Sequence, residues 1–452
     1  MTHELGESGR IGLLVRRAGF AAGPGDAGRY AKLGWEATLQ QLLHPETVDD
    51  DLDALLARLQ GGLLDLQNLE DVQTWWLYRM LHTRRPLQEK LTLFWHGHFA
   101  VANYKVNNAR MMHQHIELLR ANSLGRFDDL LLSVSRDPAM LVWLDGSVNH
   151  RNAPNENYGR ELLELYTLGI GNYDEDDVLS AARAFTGWNL RNGEFFFDDN
   201  NHDAGDKTFL GQTGPFDGGD ILRIVASDPS TAHRIAQKLF TFFAYPNPEP
   251  EVLAPLVETF SRGHDIRALV EAILRSDAFY SERSQFEHLK SPVEYVVGSV
   301  QQLAATIRER DLVAVLRALG QDILNPPNVA GWPGGATWIN PSTLLTRFNF
   351  AAHLATARGQ PGDGAEIKPA DLLGTANLSD PSDVVDRVLA LASGLELSPE
   401  SHQALVAYLQ SPLNYPPGFT GQPNAQQRQA AADARLRGVI LLALASSDYQ
   451  VG

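Results

Sequence analysis

The chain has 452 residues, 44 % of them apolar, a net charge of −17 and no cysteine. The length allows one large domain or two to three ordinary ones, with enough apolar residues for a sizeable core. The charge argues against nucleic-acid binding and against electrostatic docking on anionic lipid. The lack of cysteine excludes disulfides, thiol nucleophiles and thiolate metal sites. The opening "MTHELGESGRIGLLVRRAGF" has no apolar core of an export signal, and no 18-residue apolar run occurs, so no membrane span is expected. A cytoplasmic place follows from the absence of a visible signal, an extracytoplasmic one if a signal was removed.

In chain order the reading is all-α, mainly helical. "WEATLQQLLH", "LDALLARLQ", "TWWLYRMLH", "PLQEKLTLFWHGHF", "ARMMHQHIELLRA" and "FDDLLLSVSRD" carry apolar residues at three- and four-residue spacing. "DDVLSAARAFTGW", "TAHRIAQKLFTFFA", "IRALVEAILRSDAF", "SPVEYVVGSVQQLAATI", "LLTRFNFAAHLATA", "DVVDRVLALASG" and "LRGVILLALASS" continue the pattern. A small β-hairpin excursion is expected near 187–212, because Asn192-Gly193 sits between short apolar runs and both residues accept positive φ. Residues 358–369 and 410–427 read as loops. The Pro- and Gly-rich stretch 325–341 carries Trp332 and Trp338 and should pack down rather than link. A main helical domain over 1–357, with the hairpin inserted, and a C-terminal helical region over 358–452 are expected to share one core.

The densest polar stretch is "NENYGRELLELY", Asn155–Tyr166. Taken as a helix from Glu156 to Leu168, it places Asn157, Glu161 and Glu164 within about 60° of arc, with Arg160 beside them. That stripe either faces water or supplies paired carboxylates to a cleft for acid–base or metal work. Leu168 falls within the polar arc, which favours the cleft.

In "FWHGHF", His96 and His98 would lie about 200° apart on a helix and could not grip one ion together. A shared metal requires the helix to break at Gly97; otherwise one of the two must meet carboxylates from elsewhere to be a ligand, or His98 is a core histidine. "NHDAGDKTFLG" groups His202, Asp203 and Lys207 beside the hairpin, either as a site or as turn chemistry. The acidic run in "YDEDDVLSAARAF" reads as a helix cap. No dinucleotide fingerprint, Walker lysine, Gly-x-Ser-x-Gly elbow or His-Glu-x-x-His occurs.

The ordered set "LLVRRAGF", "LTLFWHGHF", "SRDPAMLVWLDG", the long stretch from "PNENYGRELLELY" to "AFTGW", "HDAGDKTFLGQTG", "SPVEYVVG" and "PPNVAGWPGGATWI" resembles the bacterial domain-of-unknown-function family 1800 over nearly the whole chain. The resemblance implies a helical fold, and often a genomic neighbour that is sulfatase-like or alkaline-phosphatase-like. It carries no established activity. Many members have export signals, and this chain departs from them there.

The family signature joins polar residues from four segments, and buried polar groups need partners. A shared cleft is therefore expected. Glu161 and Glu164 are its candidate catalytic carboxylates, with Arg160 and Lys207 as anion clamps. Asn155, Asn157, Tyr158, Trp188, Asn328 and Trp332 are candidate substrate contacts, and His96, His98, His202 and Asp203 candidate ligands of a divalent metal. The function expected is metal-assisted hydrolysis of an ester or glycosidic bond, with a saccharide as one candidate partner. The alternative is a non-catalytic helical scaffold that binds a partner such as the sulfatase-like protein.

Overall fold

The structure, a computed structural model, describes residues 5–60, 62–360, 364–374, 380–391, 399–412 and 422–452. The middle of the expected loop 410–427, part of the loop 358–369 and the end of "DVVDRVLALASG" lie outside them. Within them the chain is helical, with three two-stranded antiparallel sheets and no helix long and apolar enough to cross a membrane. One contiguous core draws side chains from Leu13 to Tyr449. The helix Pro341–Thr356 packs on Ala425–Ala445, and Arg437 of the latter donates to the carbonyls of Ala355, Ala357 and Ile367.

The expected hairpin forms from Trp188–Arg191 and Glu194–Phe197, and its turn residues Asn192 and Gly193 have φ of 56° and 81°. A second hairpin, Lys207–Phe209 with Gln212–Gly214, follows directly. A third pairing joins Thr306–Ile307, the end of the stretch 291–307 expected to be helix, to Ala365–Glu366, inside the segment 358–369 expected to be loop. Two residues per strand carry too little periodicity to read. The acidic run is a cap as expected: Asp174 and Asp177 form a reciprocal capping box on the helix Glu175–Ala184.

The helix Pro86–His98 runs through Gly97 without breaking. The loop 325–341 lands on it there. A Cβ added at Gly331, whose φ is +77°, would lie 2.3 Å from the Gly97 carbonyl oxygen, whereas one added at Gly97 would meet nothing within 4 Å. The close approach therefore needs glycine at 331 and not at 97. Gly331→Ala is expected to cost about 2–4 kcal/mol, from positive φ plus overpacking. Gly97→Ala should change stability by less than about 1 kcal/mol. Thermal melts of the two variants check the asymmetry; equal losses would mean the loop does not seat on this helix.

Candidate functional site

The stretch Asn155–Leu168 is not one α-helix. An α-helix Asn157–Glu161 passes into a π-helical turn, Leu162–Tyr166. Widening the turn frees carbonyls from the regular ladder, and each finds another donor. Thr167 Oγ1 donates to Leu162 at 2.6 Å, and the Gly169 amide to Leu163 at 2.9 Å. Arg234 Nε donates to Leu165 at 3.2 Å, and His98 Nε2 to Tyr166 at 3.1 Å. The π turn thus sets the position of two side chains from other helices.

With its Nε2 proton on the Tyr166 carbonyl, neutral His98 accepts at Nδ1, and Lys238 Nζ donates there at 2.9 Å. Burial holds the His98 imidazole well below its usual pKa and lowers the Lys238 ammonium to about 7, with Arg234 adding to the second effect. No carboxylate pairs with Lys238 among the described residues. Lys238 sits one turn on from Arg234 in the helix Pro229–Phe243. Beside them opens a cleft of about 640 Å³ lined by Glu164, Leu168, Asn172, His233, Arg234 and Gln237, among others. The Tyr173 hydroxyl donates to Glu164 Oε2 at 3.2 Å. Glycine suits position 169, since its φ is +85° and an added Cβ would lie 2.9 Å from Arg234 Nη1 and push the end of that side chain aside.

Glu161 is half-buried and receives no hydrogen bond among the described residues. Burial first, and then the Glu164 charge, raise its pKa. Arg160 turns away to the surface, where it bonds Glu175 at 2.7 and 2.9 Å and Glu156 at 2.9 Å. Those carboxylates hold it firmly charged, and its donors are engaged with them.

The metal constellation expected of His96, His98, His202 and Asp203 is not formed. Among the described residues no three His, Asp or Glu side chains come close enough to share an ion. His96 points away from His98, because the helix does not break between them. His96 Nε2 accepts the Leu324 amide at 3.1 Å, and its ring meets Trp76 and Trp332, each at 5.4 Å between centroids. Burial takes the His96 pKa down to about 3. His202 Nδ1 donates to the Thr186 carbonyl at 2.9 Å, and Asp203 accepts from Arg183 Nε at 2.7 Å. That bond holds the Asp203 carboxyl below its usual range.

Lys207 is fully buried and clasps its own loop, donating to the carbonyls of Asp203 at 2.5 Å and Gly205 at 2.9 Å. Asn155 Oδ1 accepts the Asn157 amide, and Asn157 Nδ2 donates to Asp145. The Tyr158 hydroxyl donates to Ser135 Oγ at 2.5 Å. Trp188 is buried between Phe185 and Phe195, and Asn328 Oδ1 accepts the Ala330 amide in a turn.

The residues that the cleft brings together are therefore Glu164, Arg234 and His233, with His98 and Lys238 behind Arg234. Sequence reading missed Arg234 and Lys238, which lie in "TAHRIAQKLFTFFA", an ordinary amphipathic pattern. The one signal there is a lysine directly before the phenylalanine-rich stretch Leu239–Phe243.

Compared with curated proteins and with solved structures, the chain finds no match. The family model described as a protein of unknown function, DUF1800, matches residues 13–451, nearly the whole chain, and the chain belongs to that family.

Proposed function

We propose that the chain is a hydrolase that acts by acid–base chemistry on an ester or glycosidic bond in an anionic substrate, at the cleft beside the π turn. The observation that carries the reading is the relay from the Tyr166 carbonyl through His98 to the Lys238 amine. An amine with a pKa of about 7 is half neutral at that pH. Its hydrogen bond to His98 leaves the nitrogen lone pair free to take a proton from water. Arg234 lines the cleft and supplies positive charge for an anionic group; Glu161 does not line it but stands next to Glu164, which does, and its carboxyl, protonated to higher pH than usual, is the proton donor of this reading.

The test is turnover of a panel of p-nitrophenyl esters, phosphates and glycosides by wild type and by Glu161→Gln. A carboxyl with a raised pKa costs stability once pH exceeds its ordinary value near 4.5. Glu161→Gln should therefore melt at or above wild type at pH 7, while turnover falls about a hundredfold or more. A variant that melts lower and keeps full turnover would make Glu161 a brace instead.

A second reading, the non-catalytic scaffold, is favoured by a separate observation. Arg160, His202, Asp203, Lys207 and Tyr158 all bond their own chain, and Leu344, Leu345 and Phe348 of the helix Pro341–Thr356 are exposed. Exposed apolar side chains on one helix suit a protein partner, here the sulfatase-like neighbour. Co-purification with that protein, lost in Leu345→Lys, together with no turnover of any panel substrate, would establish this reading over the first.

A further inference from the structure

We infer that the anionic group met by Arg234 is a single carboxylate carried on a sugar, so that the cleft beside the π turn takes a uronic-acid residue of a saccharide. The inference rests on the reading of that cleft as the site of hydrolysis. Arg234 Nε donates to the Leu165 carbonyl at 3.2 Å, which orients the plane of the guanidinium. Its two terminal nitrogens, with Nη1 beside Gly169, make no hydrogen bond or ion pair among the described residues. Two parallel N–H groups on an oriented plane match the two oxygens of a carboxylate.

The charges around Arg234 limit what it can hold. Burial lowers its pKa, and the charge of Glu164, which also lines the cleft, raises it. The helix Pro229–Phe243 begins at the cleft, yet its first turn has no donor to spare. Pro229 has no N–H, and the Ser230 amide donates to Asp228 Oδ1 at 2.8 Å. The amides of Thr231 and Ala232 donate to the Asp228 carbonyl at 3.1 and 3.4 Å. One cation with Glu164 and Asp228 nearby suits a monoanion, whereas a phosphate monoester, doubly charged above neutral pH, would be repelled. Ser230, His233, Arg234 and Gln237 follow one another at helical spacing and line the cleft over roughly 10 Å. The side chains of Ser230, His233 and Gln237 make no hydrogen bond among the described residues. Leu168 and Ile170 also line the cleft, and Ile170 is 80 % exposed. A row of hydrogen-bonding groups together with apolar side chains suits a sugar ring, with hydroxyls on its edge and C–H groups on its face.

The experiment is calorimetric titration of the full chain with sodium glucuronate at pH 8, where Lys238, with its pKa of about 7, is mostly neutral. Glucose, glucose 6-phosphate and acetate are the controls: the ring without charge, the ring with two charges, and the carboxylate without the ring. Glucuronate should bind saturably at one site, about tenfold or more tighter than each control. Arg234→Gln should bring glucuronate down to the affinity of glucose, and Gln237→Ala should weaken it about fivefold. Circular dichroism and melting check both variants; if Arg234→Gln does not fold, Gln237→Ala decides. No saturable binding of glucuronate, or equal affinity for any control, would overturn the inference, as would wild-type affinity in the folded variants. The hydrolytic reading fails separately. Glucuronate binding as expected, with no turnover of p-nitrophenyl glucuronide or the rest of the panel, would leave a uronate-binding cleft without that chemistry. Turnover with no preference for the glucuronide over the glucoside would leave hydrolysis standing and overturn the carboxylate.

Discussion

Replacing Glu294 by glutamine is expected to destabilise the protein by about 3–5 kcal/mol, the cost of stranding a buried charge. Glu294 is the carboxylate at the centre of a buried cationic cluster. Lys90 Nζ donates to it at 2.5 Å, His288 Nε2 lies at 3.2 Å, and the Ser291 amide donates to its other oxygen at 2.7 Å. Lys90 is itself buried between the rings of Phe20 and Phe242, and it has no second carboxylate among the described residues.

Burial alone would raise the Glu294 pKa, but Lys90 and His288 together hold it well below the usual range. A depressed carboxyl contributes stability above its unfolded value near 4.5, and that contribution is lost as pH falls through the folded value. The gap between wild type and Glu294→Gln should therefore be full at pH 7 and should narrow below pH 4.5. Lys90→Met added to Glu294→Gln should recover much of the loss, because no ammonium is then stranded. Denaturant melts of the four proteins in the cycle measure the coupling. Additive losses would show that the pair does not interact as its geometry indicates.

Lys238→Met is expected to remove the proposed activity by about a hundredfold or more and to change the pH dependence of folding in a defined sense. The Lys238 pKa is lowered from 10.5 to about 7 in the folded chain. Between these values the unfolded chain holds a proton that the folded chain has released. Folding stability therefore rises with pH from about 7 to about 10, with this group contributing on the order of 2 kcal/mol after allowance for its partial exposure. Below pH 7 both states are protonated and the penalty is constant. The variant should lose that rise, and a pH–rate profile should lose its ascending limb near pH 7. A Lys238→Met protein with wild-type turnover and an unchanged limb would remove Lys238 from the chemistry.

The secondary structure was legible because it rests on local terms. Apolar spacing, the Asn192-Gly193 turn and the Asp174–Asp177 cap each draw on residues within one or two turns of each other. The packed loop 325–341 was legible as well. Tryptophans are seldom left in water, and Trp338 is buried while Trp332 meets His96. The π turn was not legible, because widening by one residue is set by what the freed carbonyls find, here His98 and Arg234 from distant helices. Glu164 lies in that turn and lines the cleft.

The sequence by itself determined the helical class, the first hairpin, the cap and the family. It also marked Asn155–Tyr166 as the stretch to examine. Only the tertiary structure decided the partners of each polar group. Arg160 and Lys207 have the same charge, yet one lies in surface ion pairs and the other is buried on loop carbonyls. His96 and His98 are two residues apart, yet one accepts a distant amide and the other orients a lysine. A side chain's charge and hydrogen-bonding capacity are properties of its type, whereas its protonation state and role follow from burial and from neighbours that reach it across 70 to 230 residues of chain, as Arg234 reaches Leu165 and Leu324 reaches His96.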